Sequence, residues 1–397
     1  MSAAASSSPK VVVVAEFYPS NRDPVLGVWA HRQALAARDA GADVRVLVLH
    51  RLVPPRASFG AGAAAAFGER LREPRRQLRD GLPVTYVPFV SPARDAHYPS
   101  WGAWAAPSLA LALRRLRRSF GFELIHAHNA VPAGDAVFRA RIGKPLIVSV
   151  HGGDVLYTNA RPGGAEAVSR ALGAADLVLA NSEGVAELAH AQGAASTRVV
   201  HLGADAVTQQ GTRALAPPTL VTVAHLVARK RHADVLRAVA VLGPRHPTLR
   251  YAIIGDGPER VALEGLAARL GIAARVEFHG QLEPRAAIEQ ARRGTLFVMP
   301  STEEAFGVAY IEAMAAGIPA IGCRGEPGPE EIAAAGDGFL LVPPGDIERL
   351  TQRIDELLSD PQRLREAGQR ARATVAANFT WERCGAQTLA AYRQVLP

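Results

Sequence analysis

Two glutamates stand eight positions apart in the stretch STEEAFGVAYIEAMAAGIPAIG, residues 301–322. Glu304 follows the apolar segment LFVMPS and is predicted to lie in a loop after a strand, whereas Glu312 falls inside a helix predicted to begin near Gly307. The amino end of a helix favours a phosphate, and Gly307 lets a ligand approach the backbone closely. The two carboxylates can then accept hydrogen bonds from hydroxyls on either side of that phosphate. Sugars and riboses carry such hydroxyls.

Short β-branched runs alternate with helix-length segments along the chain, which is the pattern of βαβ units. The runs are VVVVAEF, DVRVLVLH, LIHAHN, LIVSVHG, LVLANS, RVVHLG, and later TLVTVAHL, YAIIGDG, RVEFHG, LFVMPS and PAIGC. This pattern predicts an α/β protein with two doubly wound, Rossmann-like parallel sheets. Because ligands bind at the carboxyl ends of such strands, we expect the active site in a cleft between the two halves.

The polar stretch AVTQQGTRALAPP interrupts this rhythm and is interpreted as a domain boundary. We expect an amino-terminal Rossmann-like domain over residues 1–205, a linker over 206–218 and a second Rossmann-like domain over 219–380. Residues 381–397 are predicted to form a helix that packs back on the first domain. A chain of 397 residues is long enough for two cores.

Composition limits the class of protein. The chain has two cysteines, far apart in sequence, so neither a disulfide framework nor a cysteine metal site is expected. The start, MSAAASSSPK, does not resemble a signal peptide, and the apolar stretch WGAWAAPSLALAL falls short of the roughly 20 residues of a membrane span, so we expect a cytoplasmic protein. The net charge is +8, but the arginines form no recognisable nucleic-acid motif, and no nucleic-acid partner is expected.

The segment EEAFGVAYIEAMAAGIPAIG resembles the Glu-x7-Glu signature of family 4 of the retaining glycosyltransferases, and the similarity covers nearly the whole chain. The resemblance implies the GT-B fold, with the first domain on the acceptor side and the second holding the nucleotide-sugar donor. It implies that Glu312 binds the ribose of that donor and that Glu304 holds hydroxyls of its sugar. Phe306 and Gly307 complete this part of the donor site.

Further segments match the same family. HLVARK resembles its Gly-Arg-Leu-x-x-x-Lys stretch, which implies that Lys230 holds the diphosphate, and His225 stands where an arginine is usual. HGGD resembles its His-Gly-x-Asp, which implies that His151 faces the transferred sugar and that Asp154 orients acceptor groups. Gly27, after the first strand, corresponds to a glycine that lets the donor phosphates approach.

These matches predict a retaining hexosyltransferase that moves sugar from a nucleotide sugar to a glycan, lipid-linked or small-molecule acceptor in cell-surface polysaccharide or glycolipid synthesis. His128 and Asn129 of HAHNAVPAG are candidate acceptor contacts. The sequence contains no Asp-x-Asp triplet, so we expect no metal and no other cofactor. A nucleotide-sugar epimerase of the GT-B fold and a soluble small-molecule glycosyltransferase stay open. A nicotinamide oxidoreductase is not expected, because GDGPER has Arg260 where a dinucleotide fingerprint has its third glycine.

One more pattern joins Tyr98, Trp101 and Trp104 to an apolar helix that ends in four arginines, Arg114, Arg115, Arg117 and Arg118. Aromatic residues favour the water-lipid interface and arginines favour an anionic leaflet, which would place the protein peripherally on the inner face of the plasma membrane. An arginine-rich insertion over residues 51–80 would add to the positive electrostatic potential of this surface. The alternative is that the leucines face the sheet and the tryptophans lie in the core.

Overall fold

The computed structural model describes residues 8–21, 23–53, 68, 70, 72, 74–206 and 217–397. They form two compact units, the first of Met1–His201 with Trp381–Pro397 and the second of Leu202–Thr380. Each unit is built on a parallel or largely parallel sheet with helices between successive strands. This is the α/β class that the alternation of strand and helix patterns predicts.

The first sheet is centred on a run of valines. Val11 to Val14 are fully buried, since the strand that carries them lies between two parallel neighbours and helices cover the sheet. The strand order is β3-β4-β2-β1-β5-β6-β7-β8, and β3 pairs antiparallel with β4. The strands are β1 (Lys10–Ala15), β2 (Asp43–Arg51), β3 (Arg76–Arg79), β4 (Leu82–Phe89), β5 (Leu124–His128), β6 (Leu146–Val150), β7 (Leu177–Ala180) and β8 (Thr197–Val199).

Helices connect these strands in the βαβ manner. They are α1 (Val28–Asp39), α2 (Arg94–His97), α3 (Trp101–Phe120), α4 (Asp135–Ala140), α5 (Gly164–Gly173) and α6 (Glu183–Ala191). Because successive parallel strands run in one direction, the loops that follow their carboxyl ends gather at one edge of the sheet.

The second unit repeats the architecture with a parallel sheet in the order β11-β10-β9-β12-β13-β14. Its strands are β9 (Thr219–Val223), β10 (Arg250–Ile254), β11 (Val276–Gly280), β12 (Leu296–Val298), β13 (Ala320–Cys323) and β14 (Phe339–Val342). Its helices are α7 (His232–Leu242), α8 (Arg260–Arg269), α9 (Pro284–Ala291), α10 (Val308–Ala315), α11 (Pro327–Ala334), α12 (Ile347–Leu358) and α13 (Pro361–Asn378).

The last helix, α14 (Trp381–Val395), lies on the first unit, where it packs along α1. The side-chain amide of Gln33 donates to Thr388 Oγ1 over 3.1 Å. A Cβ added to Gly385 would lie 2.2 Å from the carbonyl oxygen of Ala36, so the two helices are in close backbone contact. Tyr392 reaches the sheet, with its Oη 2.8 Å from His126 Nδ1.

Three strands were not among the runs read from the sequence. β3 and β4 form an antiparallel hairpin at the edge of the first sheet, and β14 closes the second. Their sequences, RQLR, LPVTYVPF and FLLV, are short or contain a proline. Most of the arginine-rich insertion (54–67, 69, 71 and 73) and most of the predicted linker (207–216) lie outside the described residues.

The structure corrects the membrane interpretation of residues 97–120 for most of its aromatic and apolar side chains. Tyr98 is buried and donates to Glu16 Oε2 over 2.8 Å, and Trp101 is buried and donates to the carbonyl oxygen of Pro92 over 3.1 Å. The leucines at 109 and 113 are also buried, because they lie on the face of α3 that packs on the sheet. Trp104 stays exposed. Within the described ranges, no helix combines the length and apolar character that a membrane span requires.

Candidate active site

The second unit buries an ion pair between Lys230 and Glu304. Lys230 ends a turn of 3₁₀ helix, Ala228–Lys230, in the loop after β9, and Glu304 lies in the loop between β12 and α10. Lys230 is 9% exposed and Glu304 8%, so little water reaches either charge. The structure therefore brings together the residues that the sequence assigned to the diphosphate and to the donor sugar.

Further groups hold Glu304 in place. Ser301 Oγ donates to Glu304 Oε2 over 3.0 Å and lies 3.0 Å from Tyr310 Oη. The backbone N–H of Glu304 donates to Glu326 Oε2 over 2.8 Å. Sequence reasoning missed both partners of Glu304, Ser301 and Glu326. They lie on either side of the Glu-x7-Glu stretch, but a serine and a glutamate in loops carry no signal of their own until the chain is folded.

Burial opposes the charges of this cluster. Desolvation lowers the pKa of Lys230, and the adjacent Glu304 carboxylate offsets part of that fall. Desolvation also raises the pKa of Glu326, against hydrogen bonds from the backbone of the Glu304 loop. An additional anion beside Lys230 would favour its ammonium form. The cluster can therefore accept negative charge from a ligand.

The predicted helix start at Gly307 is confirmed, since α10 begins at Val308. Gly307 has a φ of 92°, and a Cβ there would lie 2.3 Å from Tyr310 Cδ2, so a side chain does not fit. Glu312 lies in the second turn of α10 and is half-buried. Phe306 is 1% exposed and packs on Phe379, with ring centroids 5.7 Å apart, so its ring lies in the core of the second unit and does not face a ligand.

His225 is exposed in the loop after β9, with Nδ1 3.1 Å from the carbonyl oxygen of Asp256. A carbonyl oxygen only accepts, so Nδ1 carries a proton, and Nε2 is the ring nitrogen left to contact a ligand. Arg231, a neighbouring cation in HLVARKR, forms an ion pair with Asp234 at 2.6 Å. The imidazole of His225 therefore offers a ligand different hydrogen-bonding chemistry from the guanidinium of the arginine usual at this position.

Four predicted residues of the first unit meet at the carboxyl ends of β5 and β6. His128 ends β5, and its Nδ1 lies 3.0 Å from Nε2 of His151, which directly follows β6. Asn129 Nδ2 donates to Asp154 Oδ2 over 2.9 Å, and the backbone N–H of Ala130 donates to Asp154 Oδ1 over 3.0 Å. They meet because β5 and β6 are parallel neighbours whose carboxyl ends share one edge.

Burial sets the charge of these groups. Desolvation lowers the pKa of His151 to about 3 and the pKa of His128 well below its usual value. The same effect raises the pKa of Asp154 to about 6, although hydrogen bonds from Asn129 and the backbone oppose it. At neutral pH this edge therefore holds two neutral imidazoles beside a carboxylate. The imidazoles can donate and accept hydrogen bonds without contributing charge.

Gly27 lies at the same edge of the first sheet, at the start of α1. Its φ is 73°, and a Cβ there would lie 2.2 Å from the backbone of Phe17, so a side chain would separate the loop after β1 from the helix. The first turn of α1 also carries Trp29, whose ring centroid lies 6.0 Å from that of His151. Gly27 and His151 are thus linked through α1.

A buried carboxylate that sequence reasoning missed, Glu16, directly follows β1. Arg94 Nη1 donates to its Oε1 over 2.9 Å, and Tyr98 donates to its Oε2. Arg94 also stacks over the Tyr98 ring at 4.2 Å. Its position directly after a buried strand could have marked Glu16 as a candidate functional residue, but the sequence did not show which residues pair with it.

We predict that Lys230→Met destabilises the protein by about 3–5 kcal/mol, because it leaves the buried Glu304 carboxylate unpaired. The double variant Lys230→Met/Glu304→Gln should lose less, since both charges are gone. Urea unfolding measures both. The matched control is the ion pair of Arg250 with Glu277, in which both side chains are 48% exposed. Arg250→Met should cost about 0–1 kcal/mol, and equal losses at the two sites would contradict the importance of burial.

A second prediction concerns Asp154→Asn. Folding raises the pKa of Asp154 from 3.8 to about 6. In the pH window between these two values, the native state therefore binds more protons than the unfolded state. The contribution of this group to stability consequently falls as the pH rises through the window and stays low above it. The side-chain oxygen of an asparagine at this position can still accept from the Ala130 N–H. Its side-chain NH₂ can donate to Asn129 Oδ1, which lacks a hydrogen-bond partner among the described residues.

Stability relative to wild type should therefore increase from about pH 4 to about pH 7 in Asp154→Asn, measured by thermal unfolding. Asp39→Asn, at an exposed carboxylate, controls for loss of one negative charge. A stability difference that stays constant with pH would show that Asp154 does not titrate in this range.

Two family models match successive stretches of the chain. Glycosyltransferase Family 4 matches residues 26–207, and Glycosyl transferases group 1 matches residues 205–374. The histidine pair lies in the first stretch and the Lys230–Glu304 pair in the second. Both clusters described above therefore fall within sequence that glycosyltransferases share.

Curated relatives are similar at moderate identity. The chain is 26% identical over 359 residues to the α-D-kanosaminyltransferase of Streptomyces kanamyceticus, covering 83% of this chain and 90% of the relative. It is 29% identical over 177 residues to the GDP-mannose-dependent α-(1-6)-phosphatidylinositol monomannoside mannosyltransferase of Mycolicibacterium smegmatis, covering 43% of this chain. For three relatives, which include this mannosyltransferase, the match spans less than half of the relative's own length. These three are 38%, 29% and 30% identical, and the match covers 16%, 46% and 45% of them, respectively.

The fold is shared with solved structures. Anabaena HepE, in complex with UDP and glucose, aligns with a TM-score of 0.71 at 20% identity over 98% of this chain and 100% of that chain. The prediction of a GT-B fold built from Rossmann-like domains is thereby confirmed. Since the two family models match in chain order from residue 26 to residue 374, the chain belongs to the glycosyltransferases and resembles those of family 4.

Proposed function

We propose that this glycosyltransferase moves a hexosyl group from a nucleotide sugar to a glycan or lipid-linked acceptor, with retention of anomeric configuration and without a metal ion. The observation that carries the proposal is the buried ion pair of Lys230 and Glu304. It pairs a cation suited to a diphosphate with a carboxylate suited to sugar hydroxyls. The complex of HepE with UDP and glucose supports a donor of this chemical class.

The diphosphate of the donor displaces Glu304 as the partner of Lys230. Phosphate oxygens then accept hydrogen bonds from the ammonium group and from N–H groups at the start of α10, beyond Gly307. Negative charge that develops on the leaving group is stabilised by these fixed donors, which supply the positive potential that a metal ion provides in other transferases. Gly27, which has no room for a side chain, keeps the loop after β1 close to the start of α1, where we propose a further phosphate contact.

The displaced Glu304 carboxylate accepts hydrogen bonds from hydroxyls of the donor sugar. Ser301 and the backbone contact with Glu326 keep it in place while its partner changes. Glu312, one and a half turns into α10, accepts hydrogen bonds from the ribose hydroxyls. A carboxylate suits both tasks because it is a pure acceptor when ionised.

The reaction exchanges one bond at the anomeric carbon for another on the same face of the sugar. The bond from the anomeric carbon to the phosphate oxygen breaks, the acceptor hydroxyl oxygen bonds to that carbon, and the hydroxyl proton passes to the departing phosphate. His151 donates a hydrogen bond to the transferred sugar as a neutral imidazole. Asp154 and Asn129 hold the acceptor-side loop through their mutual hydrogen bond.

We predict that Glu312→Ala weakens donor binding by about tenfold to a hundredfold, through loss of a charge-assisted hydrogen bond. Glu304→Gln should mainly lower kcat, because it weakens contacts to the reacting sugar. Thermal stabilisation by UDP-, GDP- and ADP-sugars identifies the donor, and release of free nucleoside diphosphate with acceptor measures transfer. Glu264→Ala, on the outer side of α8, is the control and should change neither.

If donor affinity and kcat were unchanged in both glutamate variants, this site assignment would be wrong. Activity should persist in EDTA, and a loss that Mg²⁺ or Mn²⁺ restores would refute transfer without a metal. Epimerised donor in the absence of acceptor would point instead to an epimerase.

We also propose that the acceptor is reached at an anionic membrane surface through the solvent face of α3. Trp104 and Leu111 are exposed there, although the other aromatic and leucine side chains of the segment are buried. Four exposed arginines follow on the same helix: Arg114, Arg115, Arg117 and Arg118. Each can gain about 1 kcal/mol near an anionic leaflet, and the two apolar side chains add a shallow insertion.

Cosedimentation with vesicles should increase with anionic lipid and decrease with salt. Replacement of the four arginines by glutamine should abolish it, whereas glutamine at the exposed arginines 363, 365 and 370 of α13 should not. Wild-type protein that stays in the supernatant with anionic vesicles at low salt would exclude this surface and favour a soluble acceptor.

A further inference from the structure

Three arginines surround the aromatic pair Tyr98 and Trp101 at the carboxyl edge of the first sheet. Arg94 Cζ lies 4.2 Å from the centroid of the Tyr98 ring, and Arg161 Cζ lies 5.6 Å from the same centroid. Arg51, the last residue of β2, has its Cζ 4.7 Å from the centroid of Trp101. Ligands of doubly wound sheets bind at this edge. The arginines therefore gather where a ligand of the first unit would bind.

The carboxylates beside this cluster already have partners. Glu16 accepts from Arg94 Nη1 over 2.9 Å and from the Tyr98 hydroxyl over 2.8 Å. Asp154 accepts from the Asn129 side chain and from the backbone. Burial raises the pKa of both carboxyls, so it disfavours their charged forms. Three guanidinium groups thus face two carboxylates, and positive charge is in excess.

Two of the guanidinium groups keep donors for a ligand. Arg94 uses Nη1 for Glu16, and Arg161 uses Nη1 for the carbonyl oxygen of Arg94 over 3.3 Å. Among the residues that the structure describes, their Nε and Nη2 atoms have no hydrogen-bond partner. The Arg94 side chain is 40% exposed and Arg161 is half-buried. Arg51 contributes charge alone, because neighbouring oxygens occupy its Nε, Nη1 and Nη2.

Tyr98 connects this cluster to the residues proposed to act on the acceptor side. Its Oη lies 3.0 Å from the carbonyl oxygen of Val131, whose backbone N–H lies 3.5 Å from Asp154 Oδ1. Arg161 comes shortly after the turn Gly153–Thr158, which carries Asp154. An anion held by Arg94 and Arg161 would consequently lie next to the acceptor-side loop.

We propose that Arg94 and Arg161 form an anion subsite for the acceptor, which carries a phosphate or carboxylate group. Planar guanidinium groups bind both kinds of oxyanion through paired N–H donors. Glu16 holds Arg94 in place, and both arginines stack on the Tyr98 ring. The inference rests on the proposed function, since it names the class of acceptor. A neutral acceptor would leave the excess positive charge without a partner.

Binding can be followed through the indole ¹H–¹⁵N signals of the four tryptophans. Trp101, assigned with Trp101→Phe, lies 5.3 Å from Arg94 Cζ, and the sequence of the second unit contains no tryptophan. Glycerol 1-phosphate, glucose 6-phosphate and glucuronate should shift the Trp101 signal, whereas glycerol and glucose should not. The tightest anion identifies its source, because glycerol 1-phosphate resembles a phospholipid headgroup and the other two resemble a charged glycan.

Arg161→Gln should weaken this binding by about tenfold to a hundredfold, through loss of a charge-assisted hydrogen bond. The double variant Arg94→Gln/Glu16→Gln should also weaken it, and it leaves no buried carboxylate unpaired. The matched control is Arg141→Gln, at an exposed arginine that precedes β6 and so lies towards the amino ends of the strands. It should bind the anions like wild type. Thermal unfolding shows whether each variant is folded.

The proposal is wrong if none of the three anions shifts Trp101, or if glucose and glycerol shift it as strongly. It is also wrong if Arg141→Gln weakens binding as much as Arg161→Gln does. Absence of transfer with every nucleotide sugar tested would instead refute the proposed function, while the Trp101 titration would still decide whether the anion subsite exists.

Discussion

The loops of the second unit depend on two opposite charges, Lys230 and Glu304, being buried next to each other. Removing each ion from water costs several kcal/mol, and their attraction offsets that loss only when other partners complete the hydrogen bonding. Ser301 and the backbone contact to Glu326 supply those partners. The ion pair consequently ties the loop after β12 to the loop after β9. It thereby fixes the start of α10, at Gly307, relative to the ammonium group of Lys230.

The first unit avoids the cost of buried charge in another way, since it buries imidazoles that stay uncharged. Desolvation lowers the pKa of His126 and of His151 to about 3, so hydrogen bonds replace charge as the source of specificity. This difference suits the ligands proposed for each unit. A diphosphate requires positive charge, whereas a sugar hydroxyl requires a donor or acceptor with a defined direction.

The aromatic residues before α3 show how tertiary contacts override a local pattern. Tyr98 and Trp101 are residue types that favour a lipid interface, yet both are buried. The reason is Glu16, a carboxylate at the end of β1 that needs partners in the interior. Tyr98 donates to it and Arg94 pairs with it while stacking on the Tyr98 ring. A composition-based interpretation cannot detect this arrangement, because Glu16 lies 82 residues before Tyr98.

The sequence by itself determined the α/β class, most strands and the helix start at Gly307, since alternating apolar runs and glycine positions act within a few residues. It also identified Glu304, Lys230, His128 and His151 as separate candidates through their resemblance to a family. Tertiary structure alone decided which of them touch. The Lys230–Glu304 contact joins residues 74 positions apart, and the His128–His151 contact joins residues 23 apart on neighbouring strands. Such pairings, and the charge states that follow from burial, depend on strand order and desolvation, which no local pattern encodes.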